Sequence, residues 1–395
     1  MKEGWTYKKL GEICRIERGG SPRPIKQFIT DEPNGLNWIK IGDTDPQGKY
    51  IYGTKEKIKP EGLRKSRWVE EDDFLLSNSM SFGRPYILKT NGCIHDGWLV
   101  LRDYQQSLYI DFFYYLLISQ NVQNQFKTKA QGSTVSNLNT DRVADVDIAF
   151  PSLSDQKRIV SRLDAAFSHI DELKANAEKQ LSEARALFQK SLAKAMEPKE
   201  GWGERKFKDL CSFVRGPFGG SLKKEMFVVS GYAVYEQQNA IYNRFNFRYF
   251  IDEEKYNSMI RFSVSPGDLI MSCSGTIGKV AIIPDDAAQG IINQALLKLT
   301  PKKILDKYYL KYLMESSFFG DLISQYSDGA AIKNIASVAI LKDIVLPLPS
   351  LSEQQRIVER LDALSAHVRE LEENQKKIIS ECDALKQALL RKVFE

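Results

Sequence analysis

The sequence predicts a mixed α/β (α+β) fold: two divergent bodies, two long antiparallel coiled-coil helices between them, and a pseudo-two-fold internal repeat. Two observations carry this reading. The chain is written twice, at an offset of about 197 residues. Each copy then closes on a segment whose apolar residues recur in steps of four and three. At 395 residues the length exceeds one typical core and suits two or three domains. The boundaries that follow are a first body at 1–150, a central helix at 151–197, a second body at 198–348 and a final helix at 349–395.

Each copy opens alike. Lys2-Glu3-Gly4-Trp5 returns as Lys199-Glu200-Gly201-Trp202, and Leu10, Ile13, Cys14, Arg18 and Gly19 return as Phe207, Leu210, Cys211, Arg215 and Gly216. The bodies that follow diverge. Short apolar runs bounded by Gly, Asp, Asn and Pro read as strands: Trp38 to Ile41, Phe74 to Leu76, Leu99 to Leu101, Leu269 to Met271 and Val280 to Ile283. One apolar helix is expected in each body, at Ile110 to Ile118 and at Leu305 to Leu313, its aromatic residues serving as core.

The copies converge again at Pro151-Ser152-Leu153-Ser154-Asp155-Gln156-Lys157-Arg158-Ile159-Val160 and Pro349-Ser350-Leu351-Ser352-Glu353-Gln354-Gln355-Arg356-Ile357-Val358. The match continues through Arg162-Leu163-Asp164-Ala165 and Arg360-Leu361-Asp362-Ala363. Ser154 and Ser352 are the expected N-caps, each with an acid in the first turn. The expected seams run Ile159, Leu163, Ala166, Ile170, Leu173, Ala177, Leu181, Ala184, Phe188 and Ile357, Leu361, Leu364, Val368, Leu371, Gln375, Ile378, Cys382, Leu385, Leu389. Packing of one seam on the other would set the helices antiparallel and bring the end of the second beside the start of the first body.

Composition narrows the function. Apolar residues at 43% and charged residues at 27% mark a folded globular protein, and a net charge of +5 leaves any nucleic acid to be met by local basic surface. Five single cysteines exclude a disulfide framework or a C-x-x-C zinc site and point to a reducing, cytoplasmic compartment. No signal-peptide core opens the sequence, and no run of roughly 18 apolar residues would span a bilayer. Catalytic signatures are missing. Gly275-Thr276-Ile277-Gly278-Lys279-Val280 has the wrong spacing for a phosphate-binding loop, and three histidines (His95, His169, His367) make no metal centre. Glu253-Glu254-Lys255 resembles part of a nuclease trio only as charged surfaces often do.

Candidate contacts to nucleic acid lie in two loops of each body. Asp73 to Arg84 aligns without a gap to Asp268 to Lys279, a strand running into a hydroxyl-rich loop that ends in Gly plus a cation. Ser77, Ser79 and Arg84, with Ser272, Ser274 and Lys279, suit phosphate and base-edge contacts, whereas the Asp and Gly positions read as a turn that both copies need. The opening loops add Arg18, Ser21, Arg23 and Lys26 in the first body and Arg215, Ser221, Lys223 and Lys224 in the second. A solvated charged loop is the alternative for each of these.

Pro151 to Val160, Pro349 to Val358 and Gly267-Asp268-Leu269-Ile270 with Gly275 and Gly278 together resemble the specificity (S) subunits of type I restriction-modification systems. The first body departs from the family loop, with Glu71-Asp72-Asp73-Phe74 and with Met80 where the second has Gly275. The resemblance implies two target-recognition domains, a non-catalytic reader of a bipartite, asymmetric double-stranded DNA target, and no cofactor on this chain. It further implies methyltransferase (M) subunits, two of them, that bind S-adenosylmethionine, and motor-nuclease (R) subunits that use ATP and Mg. The outward helix faces, with His169, His367, Arg158 and Arg356, are the expected docking sites. A coiled-coil adaptor joining two protein-binding modules is the competing reading, and a nuclease is a weaker one.

Overall fold

The computed structural model describes residues 2–46, 48–78, 83–130, 138–218, 220–274, 276, 278–325 and 338–395. It divides into two compact units, Met1–Ala177 with Lys376–Glu395, and Glu178–Gln375. Each unit therefore holds one body and a stretch of both long helices.

In the first unit a five-stranded sheet contains β1 (Arg15–Arg18), β2 (Tyr50–Ile51), β3 (Phe74–Ser77), β4 (Pro85–Leu88) and β5 (Trp98–Arg102), in the spatial order β1-β5-β3-β4-β2. A strand of this sheet is covered on both faces, so it reads as a continuous apolar run rather than an alternating one. Phe74 and Leu76 face a core shared with helix α1 (Ile110–Ile118), α2 (Gln120–Ala130) and the long helix α3 (Leu153–Met196). Leu75 faces the opposite core, with Tyr86, Trp98 and Val100, against Ile39, Val69 and Ile94 of a second five-stranded sheet. The second unit repeats the plan with β6 (Cys211–Arg215), β7 (Leu269–Ser272), β8 (Val280–Ile282) and β9 (Leu296–Pro301), ordered β6-β9-β7-β8. Leu269 and Met271 pack toward helix α4 (Lys307–Glu315) and the start of the second long helix, α5 (Leu351–Phe394), while Ile270 faces the outer sheet.

The strand expected to reach Ile41 stops at Ile39, because Ile41 opens a short 3-10 turn capped by Asp43 on the Lys40 amide. Likewise α4 starts at Lys307, since the Asp306 carboxylate caps the amides of Tyr308 and Tyr309. The long helices each span 44 residues, about 66 Å of rise. Their caps are Ser152 and Ser350 rather than Ser154 and Ser352: each hydroxyl accepts from the amide three residues on, Asp155 or Glu353, at 3.3 Å.

The repeated Gln explains why this segment is written twice. Gln156 is wholly buried. Its amide donates to the carbonyls of Ser107 and Pro151, both at 2.9 Å, and its Oε1 accepts from Tyr109 N at 2.8 Å, just ahead of α1. Gln354 does the same with Ile304, Pro349 and Asp306. Two turns later the repeated Asp accepts from a body tyrosine, Tyr115 on Asp164 and Tyr312 on Asp362. These ties lock each long helix to its own body.

The helices run antiparallel in each unit. In the first, Lys174 pairs with Asp383 and Asp171 with Lys386; in the second, Gln180 bonds to Gln375 and Arg185 to Glu372. Three seam positions are corrected. Leu173, Ile378 and Leu385 are exposed, and Lys174, Ile379 and Lys386 take their places. A lysine stem fills the seam while its ammonium reaches a carboxylate across it, which a leucine cannot do. As expected, the end of α5 lies against the first body: Phe394 packs on Phe112 at 5.3 Å between centroids, and Lys2 Nζ donates to the Val393 carbonyl.

Replacing Gln156 by Leu strands three backbone groups in a dry site, so unfolding in urea should require about 2–4 kcal/mol less free energy. An unchanged urea midpoint would show that water replaces the amide.

Candidate nucleic-acid interface

In an antiparallel sheet, strand ends alternate, so the C-termini of β1 and β3 and the N-termini of β4 and β5 share one edge of the first body. Both candidate loops start there, joined by the turn His95-Asp96-Gly97. Gly19 N donates to the Trp98 carbonyl at 2.9 Å, Gly20 N to Ile94 at 3.1 Å and Asn78 N to Gly97 at 3.0 Å. Asp96 is the hub. Its backbone carbonyl accepts from Arg18 Nε at 3.2 Å and Asn78 Nδ2 at 2.9 Å, and its carboxylate from Ser21 Oγ at 2.6 Å and Arg23 Nη2 at 3.4 Å. The Ser21 hydrogen bond, more than Arg23, holds the Asp96 carboxyl below its usual range. Exposed Lys26 follows, beside a hollow lined by Trp38, Lys40 and His95.

The second body builds the same edge with different side chains. Asn293-Gln294-Ala295 matches His95-Asp96-Gly97, and the turn closes the same way: Ala295 N donates to Asn293 Oδ1 at 3.0 Å, as Gly97 N does to His95 Nδ1 at 2.8 Å. A Cβ on Gly19 would lie 2.2 Å from the His95 carbonyl oxygen, and one on Gly216 1.8 Å from that of Asn293. Only glycine lets the strand end settle on that turn. Arg215, which matches Arg18, approaches Cys273, and its Nη1 is buried without a hydrogen-bond partner among the described residues. Ser221, Lys223 and Lys224 lie on the opening loop, the lysines exposed.

Ser77 and Ser272 are corrected as contact residues. Both are buried, and their hydroxyls accept from Arg84 N at 3.1 Å and Lys279 N at 3.0 Å, which shapes the hairpin. Ser79 lies outside the described residues, as do Met80, Gly275 and Ile277. Arg84 turns toward the helix side, 5.4 Å over the Tyr86 ring, in a cleft with Tyr114, Gln123 and Lys127, away from Arg23 and Lys26. Its partner Lys279 is exposed at the matched place. Ser274 is exposed and donates to Gln237 Oε1 at 3.1 Å, a residue unmarked by any motif. Asp96, His95 and Gln294 were legible in principle, because the repeat offset pairs the segments that carry them.

Among the described residues no cluster of His, Cys, Asp or Glu is set to hold a metal, and no helix is long and apolar enough to cross a membrane. All five cysteines are free and buried, and burial pushes the Cys14 and Cys211 thiols up to about 12.

A family model described as the type I restriction modification DNA specificity domain matches residues 2–183 and again 199–381. The chain belongs to this family. Its specificity domain occurs once in each copy of the repeat, which bears out the resemblance drawn from Pro151 to Val160 and Pro349 to Val358. The chain is 22% identical over 425 residues to the type I restriction enzyme EcoBI specificity subunit of Escherichia coli, covering 100% of this chain and 86% of that protein. The HsdS subunit from Thermoanaerobacter tengcongensis shares the fold at a TM-score of 0.61 and 20% identity, with 100% and 97% of the two chains covered. A chain from a structure concerned with complex assembly and conformational transition of the type I R-M system aligns at a TM-score of 0.80 and 20% identity, over 100% and 98%.

The two specificity domains should differ in acid. His95 Nδ1 accepts from Gly97 N, and Ile41 N lies 3.1 Å from Nε2. A neutral ring accepts at one nitrogen and a protonated ring at neither. Burial lowers the His95 pKa from 6.5 more than the neighbouring Asp96 and Asp43 raise it, and Lys40 lowers it further. With the folded pKa below the unfolded one, the contribution is complete above about 6.5 and is lost as pH falls through the folded value. Hydrogen exchange at the Gly97 amide should accelerate relative to Ala295 as the pH falls below about 6.5, and His95→Asn should abolish the difference.

Proposed function

We propose that this chain reads a bipartite, asymmetric duplex DNA target, one half per body, for a type I restriction-modification complex. The observation that carries the reading is the matched edge with unmatched chemistry. The same turn, glycine and hairpin present Ser21, Arg23 and Asp96 in one body and Ser274, Gln294, Lys223 and Lys224 in the other. A shared frame suits positioning on the phosphates, and divergent side chains suit base choice: carboxylates accept from cytosine N4, and Gln pairs with adenine. Arg18 and Arg215, matched at this edge, serve general positioning, whereas Arg84 turns to the helix side.

The chain itself performs no catalysis. Two methyltransferase subunits carry S-adenosylmethionine and flip the target adenine, and motor-nuclease subunits supply ATP- and Mg-dependent cleavage. The setting is the cytoplasm, where buried free thiols stay reduced. Docking uses the outward faces of the long helices. His169 and His367 are exposed there, and Arg158 and Arg356 pair with the acids of their own first turns.

Duplex DNA binding should weaken steeply with added salt, whereas an adaptor that joins proteins would not bind DNA at all. Mapping methylated adenines in cells that carry the chain with its methyltransferase gives the target. Exchanging the first body for that of a relative should alter one half-site; a change in both, or in neither, refutes one body per half-site. Arg158→Glu with Arg356→Glu should weaken methyltransferase pull-down at an unchanged melting temperature, since exposed pairs of this kind contribute at most about 1 kcal/mol. Undiminished pull-down would move the docking face elsewhere.

A further inference from the structure

The opening loop of the second body carries an aromatic side chain that the described residues leave exposed. Phe218 is 93% exposed. Its matched residue in the first body is Ser21, which is tied down on Asp96. Between the packed glycine and the short 3-10 turn, the loop is five residues long in the first body, 20–24, and seven in the second, 217–223. The longer loop reads Pro217-Phe218-Gly219-Gly220-Ser221, and Ser221 N donates to the Phe218 carbonyl at 2.9 Å. That bond fixes the backbone beside the ring, while the small Gly220 adds no side chain to shield it. Exposed Lys223 and Lys224 follow, with Glu225 3.9 Å from the Lys223 ammonium. The loop leaves the sheet edge that also carries Ser274, Lys279 and Gln294.

An exposed aromatic ring that shares its loop with two exposed lysines fits a partner that is polyanionic outside and apolar within. Duplex DNA has that layout, with phosphates flanking a stack of bases. We propose that Phe218 is a wedge that enters the base stack of the half-site read by the second body, with Lys223 and Lys224 on the flanking phosphates. The inference rests on the DNA-reading function proposed above. It makes the two half-sites unlike in mechanism: the first body, with Ser21 in the matched place, reads undistorted DNA, while the second unstacks a step and gains selectivity from how readily that step opens.

The test uses the full chain with its methyltransferase and a duplex bearing the mapped target. 2-Aminopurine replaces one base at a time in each half-site, except at the methylated adenine, whose flipping would itself raise the signal. The expected result is a rise in fluorescence at one step of the second half-site and none in the first. Phe218→Ala should abolish the rise and weaken binding about tenfold, Phe218→Leu should keep part of both, and all three proteins should melt together. A Phe218→Ala chain that keeps the fluorescence rise and the affinity overturns the wedge. So does one that binds DNA normally but loses the methyltransferase, which would make Phe218 a protein contact. A wild-type chain without salt-dependent DNA binding would instead overturn the DNA-reading function; normal binding with no fluorescence rise overturns the wedge alone.

Discussion

Each body depends on one buried glutamine. A long amphipathic helix has no intrinsic reason to leave its body in one direction, because an apolar stripe can slide or rotate with little loss. Directional bonds in a dry site remove that freedom. Gln156 and Gln354 each satisfy three backbone groups where the approach to a body helix meets the start of a long helix. The tyrosine-aspartate pairs two turns later fix the rotation. Part of the near-verbatim repeat is therefore explained within the chain: Gln, Leu and Asp recur because the same joint is built twice. Arg158 and Arg356 also recur, each paired with the acid of its own first turn.

The candidate interface shows the complementary arrangement. Its frame is made of backbone: a glycine packed on a turn carbonyl, a serine hydroxyl sealed under a hairpin, and an amide closing a turn onto either His95 or Asn293. None of these bonds depends on the side chains that point outward, so Asp96 and Gln294 can differ while the strands beneath them stay in register. Imidazole and carboxamide perform the same closing role but not at the same pH, so chemical asymmetry enters even through the shared frame.

The repeat, the two-layered strands and the long helices were legible because each leaves a periodic or duplicated mark in the sequence. Phe74-Leu75-Leu76 and Leu269-Ile270-Met271 announce strands buried on both faces, and the doubled tail announces equivalent helices. The errors arose where neighbouring positions compete. Ser152 and Ser154 both suit a cap, and only the reach to the amide three residues on selects the first. Leu173 and Leu385 suit a seam by hydrophobicity, yet Lys174 and Lys386 occupy it because carboxylates lie across the way.

By itself the sequence determined the duplicated plan, the class of fold, the helix pairing and the loops in which recognition was to be sought. Tertiary structure alone decided which loop residues are outward and which are sealed in, since that depends on partners far apart in the chain. Ser77 and Ser272 read as contacts until the hairpin consumed their hydroxyls; Asp96 carried no motif until Arg18, Ser21, Arg23 and Asn78 converged on it. Phe218 looked like one more residue of a glycine-rich loop until the described residues left it exposed. Periodicity and duplication are local properties of a chain, whereas exposure is a property of what folds back against it.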